Sequence, residues 1–340
     1  MKNIIIRFFI LMFFVILLSP LSPLYAENAG SRGSYTRGGW AGARYTAAGM
    51  TGEVLADDVF AIYWNPAGLS ELKVKKKLTE AQIKEKAKSG DIDDITEEDL
   101  LNFSEGQYEK LFLNIGVSYS SLDIERDAGF TGLAFNAFKG VIGAGFFSIT
   151  SGDIETRDET GTLTGSDRYT GSVGYLSYSI PWNIISFGIS LKGYYESIGE
   201  YSYYGAGSDV GAQIYLLPFL KMGIMIRDAG GFLKPEKSEY SETEYDFFMP
   251  QIKIGAAFLS DTGIRVSFSG SRKLEQSNFE YGIGVEFDLN RYMMLSAGLC
   301  DGYFSTGVTL RAAGVDISYA LNFDKIDYGY NNTVSAAVLF

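Results

Sequence analysis

Glu280 and Glu286, six apart, are carboxylates of the type that could move protons, and Asp57 and Asp58 stand adjacent in a Gly- and Ala-rich stretch. Paired carboxylates do acid–base work only when neighbouring groups orient them and push their proton affinities apart. The 340 residues contain no histidine, which removes Ser-His and Asp-His catalysis and the commonest transition-metal ligand. Cys300 stands alone, so no intramolecular disulfide is available. Glu280 and Glu286 share one face of an alternating segment, where solvation by a watery interior is the ordinary explanation. Asp57 and Asp58 either cap a short helix or meet arginines such as Arg265 and Arg311. No catalytic residue, metal ligand or cofactor is assigned, and an enzyme is the least supported reading.

The elements that must position these residues are strands. Phe279, Tyr281, Ile283, Val285 and Phe287 alternate with Glu280, Gly282, Gly284, Glu286 and Asp288, and Ile264, Val266 and Phe268 with Arg265, Ser267 and Ser269. A soluble sandwich alternates too, but its apolar face needs a second sheet to cover it. Here one face is uniformly Ile, Val, Phe and Tyr while the other carries charge, the pattern of a wall with lipid outside and water inside.

Period-two matching yields about 14 segments, near 111–121, 129–138, 140–150, 168–179, 184–197, 206–216, 219–228, 251–259, 263–272, 279–288, 292–300, 303–311, 313–322 and 332–340. Connections after even segments are short, such as Lys139 and Pro218, and those at 151–167, 229–250 and 323–331 are long. An even count with short inner turns places both ends on the periplasmic side, with Trp182 and Tyr292 in the inner aromatic girdle. The chain stops on Phe340, with Val334, Ala336 and Val338 on its side of the last strand and Thr333, Ser335 and Ala337 opposite. The expected fold class is all-β: a transmembrane antiparallel β-barrel of about 14 strands, with an N-terminal hatch and a short helical insert.

Lys2 and Arg7, the apolar run Phe8–Leu18 and Leu24-Tyr25-Ala26 make a secretory signal over 1–26, cleaved after Ala26. The expected divisions are then a hatch or plug at 27–72, a charged helical insert at 73–110 and the barrel at 111–340. In the insert, Thr79 with Gln82 forms a capping box, and the run Lys73, Lys75, Lys76 and Lys77 reads as a solvated face. A formal net charge of −12 argues against a nucleic-acid partner. The expected location is the cell outer membrane, with lipid as the surrounding partner.

One stretch is more specific. Gly42-Ala43-Arg44, Gly49-Met50-Thr51-Gly52, Ala56-Asp57-Asp58 and Asn65-Pro66-Ala67-Gly68-Leu69 occur in order, and Gly302–Arg311 is followed by Val315–Ala320. Asn65 before Pro66 disfavours helix, and Pro66 with Gly68 fixes a bend. This pattern resembles the hatch signature of FadL-type long-chain fatty-acid transporters, and more closely their PorV/PorQ branch. The insert at 73–110 is longer than a minimal link, and Thr51-Gly52 replaces a clean G-M-G. The resemblance implies a hatch motif at Asp57, Asp58, Asn65, Pro66, Ala67 and Gly68, read either as a structural turn or as the gate of a ligand path.

The segment 129–149 is apolar on both faces. Phe130, Phe135, Phe138 and Phe147 would form a greasy lumen patch able to hold an acyl chain, and Gly143 with Gly145 would weaken the ladder and open the wall sideways. The alternative is that these rings pack on the hatch. Two functions follow from the resemblance. One is a porin-like barrel for passive uptake of hydrophobic small molecules such as fatty acids, through the hatch and a lateral exit. The other is a PorV-like accessory barrel bound to a secretion-system protein or its cargo, with the aromatic loop 229–250 (Tyr240, Tyr245, Phe247, Phe248) as its docking surface.

Overall fold

The computed structural model describes residues 38–72, 113–123, 125–236, 245–260, 262–274, 279–323 and 329–340. The expected signal peptide, the first part of the hatch, the 73–110 insert and Tyr240 lie outside the described residues.

The wall follows the alternation. Its strands are β1 (Asn114–Leu122), β2 (Arg126–Ala137), β3 (Gly140–Arg157), β4 (Leu163–Trp182), β5 (Ile185–Ile198), β6 (Tyr201–Leu217) and β7 (Leu220–Arg227). After two short pieces, β8 (Phe232–Pro235) and β9 (Asp246–Phe247), it continues with β10 (Gln251–Leu259), β11 (Ile264–Lys273) and β12 (Phe279–Asn290). It ends with β13 (Met293–Cys300), β14 (Tyr303–Ala312), β15 (Val315–Phe323) and β16 (Tyr330–Leu339). Each wall strand pairs antiparallel with its neighbours, and β1 pairs with β16 from Asn114↔Leu339 to Ser121↔Asn332. Among the described residues, 14 strands therefore close into a transmembrane barrel without a free edge. β8 and β9 extend the top of β6, where Ala206 pairs with Phe232, while β7 leaves β6 after Val210↔Ile226.

Side chains sort by parity as a lipid-embedded wall requires. Ile115, Val117, Ile283, Val285, Phe287 and Val334 are exposed on the outside, while Ser118, Ser120, Glu286, Thr333 and Ser335 are buried within. Trp182 and Tyr292 are exposed beside short turns. The barrel is lopsided: β3, β4 and β6 run 18, 20 and 17 residues, whereas β13 has 8 and β14 has 10. About 9–11 residues suffice to cross a bilayer, so the β3–β6 side projects beyond it at the long-loop rim.

Candidate functional site: the plugged lumen

Residues 38–72 fold inside the barrel. Three short helices, α1 (Ala43–Ala47), α2 (Gly52–Leu55) and α3 (Ala61–Trp64), lead into a 3-10 turn at Pro66–Leu72. Gly49 and Met50 both adopt left-handed φ (65° and 58°), folding the chain back between α1 and α2. Helices this short have little stability of their own. Tyr45, Val54, Ile62, Tyr63, Trp64 and Leu69 are all buried, and that packing holds the plug together.

The Asn-Pro-Ala-Gly block pins its far end. Asn65 is extended (φ −163°, ψ 108°); its Oδ1 accepts from Ala67 N at 3.1 Å and its Nδ2 donates to Glu53 O at 2.7 Å. Pro66 opens the 3-10 turn, and a Cβ at Gly68 would collide with Ala56 O. Opposite this block the wall carries Gly188 and Gly211, where a Cβ would strike Ala67 and Asn65. The same device recurs around the lumen: Gly116 faces Val59, Gly223 and Gly255 face Glu53, and Gly282 and Gly298 face Gly49. Small residues give the plug backbone a close seat on the wall.

On the β11–β15 side the seat is ionic. Arg44 donates from Nε to Glu286 Oε1 at 2.6 Å, from Nη2 to Glu286 Oε2 at 3.0 Å and from Nη1 to Asp57 Oδ1 at 2.6 Å. The chain of charges continues along the wall. Arg265 reaches Glu286 at 2.7 Å and Asp288 at 3.0 Å, and Arg311 reaches Asp288 at 2.8 Å. The arginines expected to meet Asp57 and Asp58 are thus taken by wall carboxylates. Asp57 instead holds the plug's own Arg44 and the Tyr45 hydroxyl (3.0 Å), and Asp58 accepts from Phe60 N at 2.9 Å in a local turn.

These surroundings split the acid pair. Desolvation raises Asp57, but the Arg44 guanidinium outweighs it and holds this carboxyl below the usual range. Desolvation and the Asp57 charge together push Asp58 up to about 7. Glu53 is fully buried, with Lys253 Nζ 3.3 Å away, and desolvation raises its proton affinity despite that partner.

On the β2–β6 side the lumen is aromatic. Tyr63 lies 5.2 Å from Phe147, 6.4 Å from Phe130 and 6.3 Å from Tyr175, ring to ring, and Phe60 lies 5.6 Å from Phe130. Phe130 and Phe147 are buried here. Phe135 and Phe138 are not part of it. Phe135 is five residues from Phe130, so strand alternation sends it to the outer face, and Phe138 is 84% exposed in the β2–β3 turn. Gly143 and Gly145 face the plug, with a Cβ at either falling within 3.0 Å of Ile62. Their strand is paired on both sides, Gly143 with Ala134 and Ser177, Gly145 with Gly132 and Tyr175. In the loop after β7, Phe248 is buried edge-on to Tyr194 (4.9 Å, 89°), while Tyr245 and Phe247 are exposed and stacked at 6.2 Å.

Lys192 and Asp209, buried midway along β5 and β6, escaped sequence reasoning. The available signal was charge at inward parity in the middle of a spanning strand, which costs free energy unless it is paired. Among the described residues no group of His, Cys, Asp and Glu has the arrangement to hold a metal ion.

No family model matches the chain, and no curated protein does. Solved structures do. The CymD monoaromatic hydrocarbon channel superposes with a TM-score of 0.59 at 13% identity, covering 88% of this chain and 98% of that one. The toluene transporter TbuX of Ralstonia pickettii gives 0.58 at 14% identity over 88% and 98%. The toluene transporter TodX of Pseudomonas putida gives 0.56 at 13% identity over 88% and 96%. What they share with this chain is the fold, a closed antiparallel barrel of 14 strands.

Proposed function

We propose that this chain is an outer-membrane channel for passive entry of hydrophobic small molecules, exported by its N-terminal signal and gated by the plug. The observation that carries this reading is the aromatic surface shared by plug and wall, where Tyr63 meets Phe147 and Tyr175 inside a barrel whose other side is ionic. Apolar rings buried in a lumen offer a hydrophobic solute a binding surface, and none of this needs an energy source. The likeness to barrels described as hydrocarbon channels adds support. The test is uptake of labelled toluene and of a labelled fatty acid by cells with and without the chain. Phe147→Asp should abolish the chain-dependent uptake, and uptake unchanged by that charge would end the channel reading.

The exit is a separate question. Bulk at Gly143 or Gly145 would hit Ile62 of the plug as well as the ladder, so such variants cannot isolate a lateral door. Cysteines at Phe135 and Ile142, an outward register pair, would bolt β2 to β3 without touching the plug. If solutes leave sideways there, oxidation should stop uptake and reduction restore it.

The PorV-like escort reading keeps one observation in its favour. Phe232, Tyr245 and Phe247 cluster on the β8–β9 hairpin, with Tyr245 and Phe247 exposed at the projecting rim. Replacing Tyr245 and Phe247 by Ser should release a co-purifying protein partner if that surface docks one.

A further inference from the structure

Halfway up the tall wall the lumen changes from apolar to ionic within a few side chains. Lys192 on β5 is buried, with Nζ 2.6 Å from Asp209 Oδ1 on β6 and bonded also to Asp228. The Tyr194 hydroxyl donates to Asp228, and Asp228 N donates to Asp209 Oδ1 at 2.8 Å. Arg227 donates to Tyr63 O at 3.0 Å and lies 4.9 Å over the Tyr63 ring. Two cations and two carboxylates balance, so the cluster carries no formal charge.

One atom is left over. Asp209 has a side chain 1% exposed, and its Oδ2 accepts no hydrogen bond among the described residues. A buried carboxylate oxygen without a donor is costly and uncommon, and each case calls for an explanation. Tyr175, Tyr194 and Arg227 all lie within electrostatic reach of Asp209, and Tyr175 meets Tyr63 at 6.3 Å.

Resting on the channel reading, we propose that this part of the lumen selects an aromatic ring bearing a hydrogen-bond donor, a phenol-type ligand. The ring packs against Tyr63, Tyr175 and Tyr194, and its hydroxyl donates to Asp209 Oδ2. A plain hydrocarbon gains the ring contacts and leaves the oxygen unanswered. An aryl ether sets an acceptor against an acceptor. A hydroxyl on a carboxylate makes a charge-assisted bond, stronger than one between neutral groups.

The test is calorimetry on the full chain purified in detergent, titrated with phenol, toluene and anisole. Phenol should bind roughly tenfold or more tightly than the other two. Asp209→Asn keeps an acceptor for Lys192 and puts an amide donor where Oδ2 stood, from which phenol and anisole oxygens can both accept, so it should erase the preference of phenol over anisole. If that variant does not fold, the three ligands on the unmodified chain decide the matter alone. Equal affinity for phenol, anisole and toluene overturns the proposed selectivity and leaves the channel reading standing. Binding of none of the three overturns both.

Discussion

The β3–β6 wall and the β11–β15 wall face the same plug with opposite chemistry. The first is tall and presents Phe147, Ile149, Val173 and Tyr175; the second is short and presents Arg265, Glu286, Asp288 and Arg311. Both rows sit at inward parity in the same sheet, so backbone geometry is shared and side chains make the whole difference. Burial of apolar surface is non-directional and tolerates sliding. A two-point guanidinium–carboxylate contact such as Arg44 on Glu286 fixes both distance and angle. The plug is therefore held on both sides by different means. Paired charges grip it on the β11–β15 side, while on the β3–β6 side ring packing is joined by single hydrogen bonds such as Ser70 with Ser179 and Gln213 to Glu53 O.

The largest way to break that contrast is steric. Gly188→Val places side-chain atoms where the Ala67 backbone lies, so the plug should fail to seat and single-channel ion conductance in planar bilayers should rise severalfold. Next comes the anchor. Arg44→Ala takes one of two guanidinium partners from Glu286, which is 1% exposed and keeps Arg265 at 2.7 Å, a loss of about 1–3 kcal/mol for charge-assisted hydrogen bonds removed. Denaturant melts should show it, with conductance noise rising as the plug detaches.

A smaller effect follows from Asp58. Its proton affinity is raised in the folded state to about 7, so folding binds the proton more tightly than the open chain does. The contribution is fully present below the ordinary carboxylate value and is lost as pH climbs through about 7. Plug stability should decline from pH 5 to 8, and Glu53, raised likewise, acts in the same sense. Asp57 is lowered and loses its contribution only at more acidic pH. Asp58→Asn should flatten the conductance–pH curve around pH 7. The smallest effect is at Gly174, where a Cβ would meet nothing within 4 Å. Gly174→Ala should leave conductance unchanged and raise stability by about 0.5–1 kcal/mol, separating glycines that seat the plug from one that does not.

Much of this architecture was legible in the residues. The alternating segments locate all 14 wall strands, because lipid outside and water inside write opposite polarity onto successive positions. Their upper ends were not legible: β3 continues from Thr150 to Arg157, and β4 begins at Leu163 rather than 168. Beyond the bilayer both faces are wet and the period-two signal fades. β8 and β9 hide in a long loop for the same reason. In the site, Asn65, Pro66 and Gly68 declared a turn, and the turn is there. Phe135 and Phe138 went wrong because composition was weighed over parity. Arg44 stood in the quoted motif without a role, since its partner Glu286 lies 242 residues away. The glycines that receive the plug were visible only as abundance, because which backbone each must admit is a fact of the assembled lumen.

The plug also straddles the seam where the first and last strands meet. Gly42 N donates to Ser118 on β1 and Ala43 N to Ser335 on β16, while Asn114 of β1 accepts from Val59 N and donates to Val338 O. Consecutive plug residues thus hold the two margins of the sheet, one of them 292 positions distant in the chain. Contacts so far apart carry the heaviest loop-closure entropy and form late in folding. The amino-terminal segment is thus a clasp across the closing seam, and its full set of hydrogen bonds exists only when β1 and β16 lie side by side.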